Sequence, residues 1–194
     1  MGNRRLQPVD WRMTLSLSLA AVLFAVSIAL GMRVPSEMIA EMLEELGQLL
    51  GPISSLESPA LLLFIFLNNA VKALAVIVLG ILIGLPPLLF VTFNGVTIGA
   101  LLSALKSILG WGVIAASLAP HGVVEVPLLL LTTALGFRVG EESLRWLTGQ
   151  KSMVRARLRQ SLKMYLKWIL GGLLVAAMLE VFVTPIIIGL AGGR

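Results

Sequence analysis

The chain has no cysteine and only one histidine. The first absence excludes disulfides, thiolate metal centres and cysteine nucleophiles, and the second weakens any metal site. Charge is scarce as well: 13% of the 194 residues are Asp, Glu, Lys or Arg, against about a quarter in a soluble domain. That is too little polar surface to cover a water-facing exterior. What the chain has instead is 58% apolar residues and a mean hydropathy of +0.98, the composition of a membrane protein. At about 20 apolar residues per crossing, roughly five spans use half the chain and leave no room for a separate soluble or large enzyme domain. No Gly-rich phosphate loop with a following Lys and Ser/Thr pair is present, so any energy coupling would come from a gradient or a partner. The expected fold is all-α: a polytopic bundle with interfacial amphipathic helices.

Gly, Pro and charge clusters divide the apolar runs into spans over 13–32, 59–84, 86–105, 111–140 and 168–190. The first follows a basic leader carrying Arg4, Arg5 and Arg12. Its run is longer than a signal peptide's and no small-x-small cleavage site ends it, so it reads as a retained anchor. The second and third are joined only through Leu85, Pro86 and Pro87, which predicts a tight antiparallel hairpin. The fourth is expected to break near Pro120, because the residue before a proline is pushed out of the α region. Such broken helices line transporter sites and also occur as re-entrant packing. Gly80 and Gly84, Gly95 and Gly99, and Gly136 and Gly140 are small-x-x-x-small pairs, which permit close packing within the chain or in a homodimer.

Orientation follows from Lys and Arg near the span ends. The leader has three, and Arg138, Arg145, Lys151, Arg155, Arg157, Arg159, Lys163 and Lys167 lie between spans four and five. Only Arg33, Lys106 and Arg194 fall on the other side, eleven against three. The amino terminus is expected in the cytoplasm and the carboxyl terminus outside, in the plasma membrane.

Two amphipathic segments flank the spans. Over 36–50 an apolar face of Met38, Ile39, Met42, Leu43, Leu46, Leu49 and Leu50 opposes Glu37, Glu41, Glu44, Glu45 and Gln48, predicting an outer helix that covers the bundle mouth or docks a partner. Over 152–167, Arg155, Arg159, Lys163 and Lys167 form a stripe beside Leu158, Leu162 and Tyr165. That pattern suits a helix on the anionic lipids of the cytoplasmic leaflet. Nucleic acid is not expected, since no recognition fold accompanies the charge.

The informative residues are polar groups inside hydrocarbon, where an ionised group costs from about 2.5 to more than 10 kcal/mol. They are Asn68, Asn69 and Lys72 in span two, Asn94 in span three, His121 and Glu125 in span four, and Glu180 and Thr184 in span five. At about 1.5 Å per residue these fall in one half of the membrane, and convergence on one buried site is the economical reading. Asn68 with Lys72, His121 with Glu125, and Glu180 with Thr184 are each four apart, hence on one helix face. Lys72 would need a carboxylate, Glu125 or Glu180. A divalent cation held by His121, Glu125 and Glu180 is the alternative to a purely polar network.

Four strings carry a resemblance: Leu67-Asn68-Asn69-Ala70, Phe93-Asn94-Gly95-Val96-Thr97-Ile98-Gly99, Pro120-His121-Gly122-Val123-Val124-Glu125-Val126-Pro127, and Leu179-Glu180-Val181-Phe182-Val183-Thr184-Pro185. In order and spacing, over about Leu61 to Leu190, the chain resembles the stage II sporulation protein M family of integral membrane proteins. The resemblance implies a mostly helical polytopic protein, and the family's namesake works with peptidoglycan-degrading partners. Sporulation itself is not carried over. The expected function is a membrane scaffold or assembly component that meets itself or other membrane and envelope proteins, and the alternative is a transporter or channel-like protein that binds a cation or small polar solute at the polar cluster.

Overall fold

A computed structural model describes residues 11–35, 38–39, 44, 56–106 and 111–192. The outer amphipathic helix expected over 36–50 therefore lies outside the described residues, apart from Met38, Ile39 and Glu44. The chain is all-α: α1 (Trp11–Gly31), α2 (Ser58–Leu79), α3 (Leu85–Lys106), α4 (Trp111–Leu147), α5 (Val154–Met164), α6 (Leu170–Met178) and α7 (Thr184–Gly192). Among the described residues there is no strand, and five helical stretches are long and apolar enough to cross a membrane. At 21 or 22 residues, α1, α2 and α3 match a hydrocarbon core of about 30 Å.

Three expectations about the helices are corrected. First, α4 runs unbroken for 37 residues through Pro120 and Pro127. A proline removes one i to i−4 hydrogen bond, and in a spanning helix neighbouring groups re-satisfy the freed carbonyl, so the helix continues. Second, the basic segment over 152–167 is no separate element. α5 passes through a π-helical turn (Tyr165–Ile169) into α6, and through a second (Leu179–Val183) into α7. No Gly or Pro lies between Met153 and Gly171 to stop it. Third, Pro86 and Pro87 do not make the turn after α2. They occupy the first turn of α3, where a missing N–H costs nothing. The turn is 80–84, closed by the Gly84 N–H on Gly80 O at 2.9 Å, with Ile83 and Gly84 at φ 56° and 79°.

Glycines decide which helices pair. A Cβ on Gly31 would strike the Val96 carbonyl and one on Gly99 the Ile28 carbonyl, while one on Gly95 would lie 2.6 Å from Ser27 Cβ. α1 and α3 are thus in backbone contact over two turns or more. Gly80 meets Gly136, and Gly140 meets Gly84, so α2 lies as closely on α4. The α2–α3 hairpin is consequently splayed, with α3 packed chiefly on α1 and α2 on α4 and α6. All six glycines of the small-x-x-x-small pairs touch another helix of the same chain or its turn. The core forms where Ala70, Ala73 and Ile77 of α2 meet Leu135 of α4 and Tyr165, Ile169 and Leu173 of the last helix.

Candidate functional site

Mid-bundle, α2, α3, α4 and α6 enclose a cavity of about 290 Å³. Its polar lining is Asn69 and Lys72 from α2, Asn94 from α3, and Glu125 and Thr132 from α4. Phe90, Phe93, Leu128, Leu129 and Leu173 supply the apolar remainder. Asn94 Nδ2 donates to Phe90 O at 2.7 Å one turn back, which orients the amide and leaves its Oδ1 toward other donors. Asn69, Asn94 and Glu125 are half-buried, whereas Lys72 is exposed.

Four of the eight polar positions expected from the sequence, Asn69, Lys72, Asn94 and Glu125, therefore surround one volume, and Asn68, Glu180 and Thr184 do not line it. Asn68 is exposed on the outer face of α2 beside Phe64, Leu67 and Val71. Its neighbour Asn69 points about 100° away around the helix, so it is Asn69, three residues from Lys72, that shares the cavity. Glu180 sits in the second π-helical turn and does not line the cavity. It is seven residues beyond Leu173, about 10 Å along the helix. The Thr184 hydroxyl donates to Leu179 O at 3.2 Å, the carbonyl that also accepts the Thr184 N–H. The His121 side chain lies outside the described residues. Among the described residues no three His, Cys, Asp or Glu side chains gather to hold a metal ion.

The basic stripe is where its spacing puts it: Arg155, Arg159, Lys163 and Lys167 are all exposed. Leu158 and Leu162 pack on the core from the other face, and Tyr165 Oη donates to Ala70 O at 3.0 Å. That bond anchors the stripe's helix to α2 beside Asn69.

A second polar group was not anticipated. Where the start of α1 meets the end of α4, the Glu141 carboxylate accepts from Arg12, Arg138 and Arg145, the last at 2.9 Å. Arg138 is only 2% exposed. The adjacent Glu142 is buried as well, and its Oε2 takes the Met153 N–H at 2.9 Å while its backbone O takes the Ser152 hydroxyl at 2.9 Å. Together these bonds tie α1, α4 and the connection to α5 at what is here termed the basic end. The run Arg138-x-x-Glu141-Glu142-x-x-Arg145 carried the signal, charges three and four apart on one helix face.

A family model described as stage II sporulation protein M matches residues 20–185, which takes in every helix that lines the cavity. No match is found among curated proteins or among solved structures.

Proposed function

The chain belongs to the stage II sporulation protein M family, and on that premise we propose that this multi-pass membrane protein is a scaffold, an assembly component that holds a fixed shape for other membrane or envelope proteins. The observation that carries the reading is the glycine-mediated backbone contact of α1 with α3 and of α2 with α4. Alternating access requires one group of helices to rock against another. Backbones that touch with no side chain between them have little room to slide, and the Glu141 cluster ties α1 to α4 at one end. Trp11 and Trp146, exposed near that end, suit an aromatic belt at a membrane boundary. With the arginine and lysine count, they support a basic end facing the cytoplasm and a carboxyl terminus outside.

The cavity favours a second reading. A volume of about 290 Å³ with an ammonium and a carboxylate on its wall is of a size and polarity to take a small zwitterionic solute. A lone cation fits less well, because Lys72 repels it. Proteoliposomes carrying the wild type and Glu125→Gln separate the two. The scaffold reading expects no uptake of radiolabelled sodium, manganese or glycine by either protein, with Glu125→Gln lowering the melting temperature or shrinking the native complex in membranes. Uptake by the wild type that is lost in a folded Glu125→Gln protein overturns the scaffold in favour of transport.

A further inference from the structure

At the basic end, the 80–84 turn, the last turns of α4 and the start of α5 border an open groove of about 920 Å³, distinct from the mid-bundle cavity. Its walls are Ile81, Leu82, Ile83, Trp146, Leu147 and Met153, all of them exposed apolar side chains. A turn that faces water is built from Gly, Asn, Asp or Ser. This one presents three consecutive aliphatic residues. Ile83 does so at φ 56°, a left-handed conformation that is a genuine outlier for a β-branched residue, and its side chain is 54% exposed on the groove.

Arg155 is the one charged residue among those lining the groove. It is exposed in the first turn of α5. Glu142, the nearest acidic group along α4, is buried and holds the Met153 N–H. Nothing acidic lines the mouth to receive an ammonium.

We propose that this groove is a binding site for one anionic phospholipid, with an acyl chain against Ile81, Leu82, Ile83 and Trp146 and the phosphate at Arg155. A zwitterionic lipid would present the same phosphate and acyl chain, but its cationic headgroup would meet Arg155 without a carboxylate to balance it. The charge at the groove therefore selects a net anionic headgroup. The exposed stripe of Arg159, Lys163 and Lys167 continues from the mouth along α5 and draws anionic lipid to it.

The test is lipid retention by the full-length protein, purified in detergent and read by native mass spectrometry with phosphatidylglycerol or phosphatidylcholine added. The wild type is expected to retain phosphatidylglycerol about fivefold better, the value of one arginine near a membrane surface. Arg155→Gln removes that preference, while Arg159→Gln, on the same stripe but off the groove, keeps it. Ala156→Trp fills the groove from an exposed position and lowers retention of both lipids, so the proposal stands or falls on this variant should Arg155→Gln not fold. Equal retention of the two lipids by the wild type overturns it. So does an Arg159→Gln loss equal to that of Arg155→Gln, which would make the attraction diffuse. Displacement of the lipid by inorganic phosphate alone would also overturn it, because the site would then be one for free anions.

Discussion

At the basic end a single carboxylate, Glu141, holds Arg12, Arg138 and Arg145, whereas mid-bundle Lys72, Glu125, Asn69 and Asn94 stand around about 290 Å³ of open space. Both regions bring polar groups into an apolar bundle, and both must offset a desolvation penalty of several kcal/mol per ion. The first does so by closing the charges on one another, which leaves no volume for a guest and joins two helices far apart in sequence. The second leaves its groups spread over three helices around a void. Charges that close on themselves fix architecture, while polar groups that line a space are available to something else. That is why the cavity and not the ion cluster carries the alternative function.

Removing the hub should have the largest effect. Glu141→Ala takes the carboxylate from a buried Arg138 and is expected to cost about 3 to 5 kcal/mol, measured as unfolding in detergent micelles. A loss below about 1 kcal/mol would make the cluster a surface feature and erase the contrast. Asn94→Leu sharpens the comparison from the other side. It removes a hydrogen bond within α3 and narrows the cavity, for an expected cost of about 1 kcal/mol. If it destabilises as much as Glu141→Ala, the cavity wall is as structural as the ion cluster. The smallest effect belongs to Arg145→Gln, about 0.2 to 1 kcal/mol, since that guanidinium is 30% exposed and Arg12 and Arg138 still hold Glu141.

The spans were legible because crossing a membrane is a one-dimensional demand: an apolar run of sufficient length shows in the order of residues. Polar residues inside those runs were legible for the same reason, Asn69, Lys72, Asn94 and Glu125 among them. Depth along the axis was readable and direction around it was not. Asn68 and Asn69 differ by one residue and face different surroundings, and Glu180 lies in one π-helical turn and follows another that has already shifted the helix phase. Proline misled in two places, at Pro120 and at Pro86-Pro87, because its cost depends on whether the N–H it lacks was needed. Arg138 misled differently. Its charge was counted for topology, and its burial depends on Arg12 and Glu141, which are 129 positions apart.

Composition and hydropathy by themselves determined that this is a multi-pass helical membrane protein, because lipid accepts no other use of so many apolar residues. Tertiary structure alone decided which helices touch, through glycines that let one backbone rest on another. It also decided which of the costly polar groups face one another, because a side chain's direction is set by helix phase and packing, and neither is written in the order of residues along a single span.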